Sequence, residues 1–266
     1  MDVDAFERAA WEGRAAAYDR GFARLTAHTV EAVLNSAAAG PRTRLLDIGC
    51  GPGPVTAAAL TLGAQVTAAD ADLDMVELVA RRHPHAQVRV AALPGLPFPD
   101  ESFDAVAGNF VIEHTGDPVA AAAELHRVLR PGGTIVLTCW TYPGNRAVAV
   151  FSEALRAAGA EHPAGVPAET PFSAHAEPKP FARLLTEAGF EGAAADILRW
   201  THRVDPDAWW ADVLAGTTRT GAAITGQDAA TIDRIKAEYD RAAAGYVTAG
   251  DEVALPACAL LAHAVR

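Results

Sequence analysis

Apolar runs bounded by glycine, proline and polar residues alternate along this chain with stretches of helical period. Leu45, Leu46 and Ile48 around Asp47 predict a short buried strand, broken at Gly49, and the alanine-rich run from Pro54 predicts a helix with proline in its first turn. Further strands are expected over 65–69, ending at Asp70, over 87–91 and over 103–110. An amphipathic helix follows over 117–130, with Val119, Ala122, Ala123, Val128 and Leu129 inward. It stops at Pro131, Gly132 and Gly133 before the strand TIVLTCW.

Upstream, residues 4–38 predict two helices with a stripe of Trp11, Ala15, Tyr18, Phe22 and Leu25, interrupted by Gly13 and Gly21. Downstream the pattern is less regular. A helix is expected over 145–158, a proline-rich loop over 162–180, a short helix over 181–189 and a strand in FEGAAADILRWTHRV. The region 205–250 reads as helical, with Ile232, Ile235, Tyr239 and Tyr246 on one face, and VALPACALLAHAV as a final strand. Strands alternating with helices make this an α/β chain with a doubly wound sheet.

Composition narrows the classes. The 266 residues suffice for one large domain or a domain with a cap, and half are hydrophobic. The net charge of −11 and the lack of a basic block argue against a nucleic-acid partner. No apolar run approaches the roughly 20 residues of a membrane span, and the acidic N-terminus lacks a signal-peptide core. Cys50, Cys139 and Cys258 are too scattered for a metal site or a disulfide frame, so a cytoplasmic location is expected. Many Ala and Arg with few Lys suggest a bacterial genome rich in GC.

The chemistry concentrates at the first strand's end. Gly49, Gly51 and Gly53 clear side chains from a turn that opens a helix, the arrangement that brings a nucleotide-like ligand against backbone. Proline at 54 breaks the dinucleotide pattern G-x-G-x-x-G. Asp70 lies 21 residues beyond Gly49, where a carboxylate accepts both hydroxyls of a ribose. Asp72 or Asp74 is available to cap the next helix in its place. His114, after the fourth strand, is the titratable group best placed by its ordinary pKa to accept a proton near neutrality; support of the loop or contact with the cofactor is the alternative.

LLDIGCGPGPVT, the segment AADADLDMVELVARR, the run AALPGLPFPDESFDAVAGNF and ELHRVLRPGGTIVLT together resemble the class I S-adenosylmethionine (SAM) dependent methyltransferases. The small-molecule subgroup, similar to the ubiquinone and menaquinone methyltransferases, is nearest, and TTRTGAAITGQ extends the resemblance almost to the C-terminus. The resemblance implies a Rossmann-like seven-stranded sheet whose last two strands form an antiparallel hairpin around a helical insertion. Its parts would be a helical cover over 1–40, a SAM-binding core over 41–203, a lid over 204–250 and a final core strand over 251–266.

It implies SAM as cofactor, with S-adenosylhomocysteine as product, and a small-molecule acceptor with an O, N or C nucleophile. Tyr18, Asp47, Gly49, Gly51 and Gly53 would surround the amino-acid end. Asp70 and Ala71 would meet the ribose, Met75, Ala92 and Leu93 the adenine, with Asn109 nearby. Ala92 stands where relatives carry the acid that accepts from adenine. His114 is the candidate base, and Phe110, Trp140, Trp200, Arg219 and Gln227 join it as candidates for the acceptor pocket. No metal is expected, and a homodimer is left open. Two other readings remain: an NAD-dependent oxidoreductase, disfavoured by Pro54 and by the absence of a Tyr-x-x-x-Lys pair, and a SAM-binding accessory protein without catalysis.

Overall fold

The structure, a computed structural model, describes residues 3–141 and 144–266. A seven-stranded sheet runs in the order β3-β2-β1-β4-β5-β7-β6. Its strands are β1 (Arg44–Ile48), β2 (Gln65–Asp70), β3 (Gln87–Val90), β4 (Phe103–Asn109), β5 (Leu129–Trp140), β6 (Glu191–Val204) and β7 (Val253–Val265). β1 to β5 are parallel, and β7 lies antiparallel between β5 and β6. Strand order reverses at the β1–β4 boundary, and the chain leaves both strands there in opposite directions. That divergence opens the crevice in which α/β sheets take their ligands.

Alternation along the parallel strands builds two apolar layers. Leu46, Ile48, Val106, Ile135 and Leu137 pack on one face with Leu125 and Phe181; Leu45, Ala105 and Val136 pack on the other with Val33, Leu34, Val55 and Ala59. The flanking helices are α4 (Val30–Ser36), α5 (Pro54–Thr61), α6 (Leu73–Arg82), α7 (Pro118–Val128), α8 (Arg146–Ala157) and α9 (Pro178–Glu187). Before them come α1 (Val3–Trp11), α2 (Ala15–Arg20) and α3 (Ala23–Thr26). The expected two N-terminal helices are thus several short ones, broken at Gly13 and Gly21.

Between β6 and β7 the chain inserts α10 (Pro206–Gly216), α11 (Arg219–Thr225) and α12 (Ala229–Ala243). Trp209 and Tyr239 are fully buried there against Phe151 of α8. The insertion also seats on α2 at close range: a Cβ at Gly21 would fall 2.2 Å from the Asp212 carboxyl carbon, and one at Gly216 would fall 3.3 Å from the Tyr18 backbone.

Two expectations shift. The helix placed over 117–130 ends at Val128, and its buried face is Ala121, Ala122, Leu125 and Val128, while Val119 and Ala123 are exposed. Asp117 caps it and Pro118 fixes its first turn, which sets that phase; Leu129 is buried as a strand residue. The loop placed over 162–180 holds a 3₁₀ turn (Pro171–His175) and the start of α9, because its prolines sit in first turns, where they favour helix.

Candidate active site

A cavity of about 830 Å³ lies over the carboxyl ends of β1, β2, β4 and β5 and under α1, α2 and the insertion. At one end is the glycine turn. Gly49 and Gly51 have φ of +66° and +52°, and both line the cavity. A Cβ at Gly49 would collide with Val111 Cγ2 at 2.4 Å, so glycine is required by space as well as by dihedral. Gly51 lies open toward the Tyr18 ring, 3.7 Å from where its Cβ would sit.

Asp70 stands beside this turn at the end of β2. Its Oδ2 accepts from Gly51 N–H at 2.9 Å and its Oδ1 from Asp72 N–H at 3.0 Å. Burial raises its pKa against those two donors. Asp72 caps α6 by accepting from Met75 N–H, which relieves Asp70 of that task. Ala71, Met75, Ala92 and Leu93 continue the wall, Met75 almost fully buried. The wall at 92 has no carboxylate.

Four candidates lie elsewhere. Asp47 is buried behind the turn; its Oδ2 accepts from Thr56 Oγ1 at 2.6 Å, and its Oδ1 has no partner. Burial pushes its carboxyl up to about 7. Gly53, at φ +91°, caps α5 and faces Val79 of α6, so it serves helix packing. Trp200, on the outer strand β6, stacks on His28 at 5.8 Å. Gln227 donates to the carbonyls of Glu161 and Ala223, tying the end of α11 to the loop after α8. None of the four lines the cavity.

Asn109 and Tyr18 do line it, with polar atoms already engaged. Asn109 Oδ1 accepts from Thr138 Oγ1 at 2.7 Å, and its Nδ2 donates to Thr26 O at 3.3 Å. The Tyr18 hydroxyl lies 3.2 Å from Thr26 Oγ1, and burial pushes its pKa up to about 12.

Past the turn the cavity becomes aromatic and aliphatic. Phe110, held at φ +60°, packs on Trp140 with ring centroids 4.1 Å apart; Val148, Leu155 and Phe172 extend this wall. Between the two halves sits a charged group that links four parts of the chain. His114 Nδ1 is 2.9 Å from Glu7 Oε2, and Arg219 Nε is 3.6 Å from Glu7 Oε1. Glu113 accepts from Trp140 N–H at 3.3 Å through Oε2, while its Oε1 is buried without a partner.

Burial alone would lower His114, but the Glu7 and Glu113 carboxylates outweigh it and hold the imidazole above its usual pKa. Burial conversely raises Glu113. For Glu7, burial is outweighed by His114, Arg219 and Thr218, and the carboxyl sits below its usual range. Such an arrangement can take up or release a proton beside the boundary between the two halves.

Sequence reasoning missed Glu7 and Glu113. Glu7 had a signal: it precedes Trp11 by one helical turn and so sets a charge at the head of the apolar stripe. Glu113 had only its place beside His114.

A methyltransferase-domain family matches residues 46–137. The malonyl-[acyl-carrier protein] O-methyltransferase of Salmonella typhimurium is 34% identical over 126 residues, 47% of this chain and 50% of that protein. The demethylmenaquinone methyltransferase of Renibacterium salmoninarum is 34% identical over 111 residues, 42% of this chain and 47% of that protein. The chain thus spans about half the length of the curated relatives it matches. The crystal structure of the YcgJ protein from Bacillus subtilis shares the fold, with a TM-score of 0.57 at 20% identity over 90% of this chain and 98% of that one. The matched segment holds the glycine turn, Asp70, Met75 and the Glu113–His114 turn, and the donor set of the cleft fits SAM: two glycines that bring backbone to the surface, a carboxylate able to accept from a diol, and a thioether. Residues 46–137 thus match a methyltransferase domain, the chain resembles the class I SAM-dependent methyltransferases, and SAM is the cofactor that fits this cleft.

Proposed function

We propose that this protein transfers the methyl group of SAM to a small molecule held in the aromatic half of the cavity. The observation that carries this is the continuity of one cavity from Gly51 and Asp70 to Phe110 and Trp140, past His114. When bound, SAM supplies a methyl carbon made electrophilic by the sulfonium. The chain's task is to align the acceptor with that carbon and exclude water. Gly49, Gly51 and Tyr18 surround the amino-acid end, Asp70 accepts from the ribose diol, and Met75 and Leu93 flank the adenine. Phe110 and Trp140 hold the acceptor's apolar body, with Arg219 at the rim. His114 takes the proton that an oxygen or nitrogen nucleophile sheds.

A division into an N-terminal cover, a SAM-binding core and a lid over the acceptor accords with this reading. A role in bacterial secondary or specialised metabolism belongs to this reading, the cited relatives being bacterial, and three buried, unpaired cysteines accord with a reducing cytoplasm. Among the described residues no helix is long and apolar enough to cross a membrane.

The test is twofold. Calorimetry with SAM should show binding that Asp70→Ala weakens by roughly 1.5–3 kcal/mol, the worth of a hydrogen bond to a charged group. Incubation with trideuteromethyl-SAM and a panel of phenols, amines and carboxylic acids should yield a product heavier by the label. Binding without label transfer to any acceptor would favour a SAM-binding accessory protein; no binding would overturn the reading.

A further inference from the structure

Helix α1 is fastened to the turn after β4 at three successive positions of one face. Asp4 Oδ1 accepts from Gly116 N–H at 2.6 Å, and the Glu7 carboxylate meets His114 Nδ1 at 2.9 Å. Trp11 sets its ring edgewise to the imidazole at 5.5 Å and 75°. Glu7 is 4% exposed, and its other oxygen faces Arg219 and the Thr218 hydroxyl at the start of α11. A buried carboxylate is a costly way to dock a helix, since apolar side chains of the same size do it without desolvating a charge. The charge is explained by what it touches: one nitrogen of the His114 imidazole, which lines the cavity.

We propose that Glu7 is a positioning residue for His114: its Oε2 accepts the Nδ1–H, which fixes the tautomer and leaves the Nε2 lone pair for the acceptor's proton. This rests on the reading of His114 as the base. In the transfer step a bond forms between the acceptor atom and the methyl carbon as the sulfur–carbon bond breaks. The electron pair stays on sulfur, the acceptor's proton goes to Nε2, and the imidazolium so formed faces the Glu7 carboxylate. Because Glu7 comes from α1, the orientation of the base depends on the docking of that helix; its second oxygen, without a hydrogen-bond partner, lies 3.6 Å from Arg219 Nε of α11, which adds an electrostatic contact.

The charged groups acting on His114 are Glu7 on α1, Glu113 on its own turn, Arg219 on α11 and Asp70 at the end of β2, while Asp4 and Arg8 of α1 line the same cavity. Glu7 is the one in hydrogen-bond contact with the ring.

Nitrogen-15 histidine spectra of the full-length protein with S-adenosylhomocysteine test this without an acceptor, the His114 signal being identified by its loss in His114→Gln. Neutral His114 should be the Nδ1–H tautomer. Glu7→Gln should lower its pKa by about one to three units, the effect of losing an ionised partner at this range, and Glu7→Asp should restore most of it. Retained S-adenosylhomocysteine binding identifies the variants as folded. An Nε2–H tautomer in the unsubstituted protein, or an unmoved titration in folded Glu7→Gln, would overturn the proposal. Should Glu7→Gln fail to fold, the tautomer of the unsubstituted protein decides alone. Turnover by His114→Ala judges the base itself, so an error there is told apart from an error about Glu7.

Discussion

Asp47→Asn isolates the energetic cost of the acid behind the glycine turn. An ordinary aspartate titrates near 3.9, and burial behind the turn raises Asp47 to about 7. In the unfolded chain the group ionises first, so each pH unit between these values withdraws stability from the native state. The contribution is full below about pH 4, falls by about 1.4 kcal/mol per unit and is lost above pH 7, roughly 4 kcal/mol in all. Asn keeps an amide oxygen for Thr56 Oγ1 and carries no such proton. Urea unfolding of both proteins at fixed ionic strength should therefore show the variant gaining on the parent by about 2–3 kcal/mol from pH 5 to pH 7. Glu113, which burial also raises, is present in both proteins and drops out of the subtraction; Asp70, whose charge is the smallest of the causes acting on Asp47, leaves a small residual. Parallel stability curves would refute the reasoning, because they would mean that native Asp47 ionises as readily as the unfolded one.

His114→Ala should lower kcat by about 10²–10⁴-fold with SAM affinity nearly unchanged, and a pH–rate profile unaltered in height and shape would remove it as the base. Trp209→Ala, which empties a fully buried site and frees the Ala147 carbonyl its Nε1–H reaches at 2.9 Å, should cost about 3–5 kcal/mol, read by urea unfolding; a loss under 1 kcal/mol would mean that the insertion packs loosely. Amide exchange across 205–250 should slow when S-adenosylhomocysteine and acceptor are both bound, and unchanged exchange with acceptor demonstrably bound would make the insertion purely structural.

The cofactor half was legible because its chemistry is local. Strand, turn, helix, strand and acid follow one another from Leu45 to Asp70, so spacing alone carries the geometry. The charged group and the aromatic wall beside it bring together Glu7, His114, Trp140 and Arg219, more than a hundred residues apart between first and second, and no periodic pattern ties them together. Trp200 shows the limit sharply. Alternation says that successive residues of a strand face opposite ways, but which way is inward depends on β6 being the outer strand, next to β7. Asp47 shows another: its place in the motif was readable, while Thr56, which turns its carboxylate away from the cavity, acts from inside the following helix.

The insertion leaves the sheet at Val204 and re-enters it at Val253, two residues that pair directly across the β6–β7 ladder. Its ends are therefore closed by strand pairing whatever lies between them, and doubling the length of such a closed segment costs only about 0.6 kcal/mol more in chain entropy. The sheet edge thus works as a socket: the ends of the α10–α12 segment are held by the β6–β7 ladder, at the opposite side of the sheet from Asp70 at the end of β2. On the proposed reading, the part of the acceptor's surroundings that α10 to α12 supply can vary at one position of the architecture while the turn and acid at the other end of the sheet stay as they are.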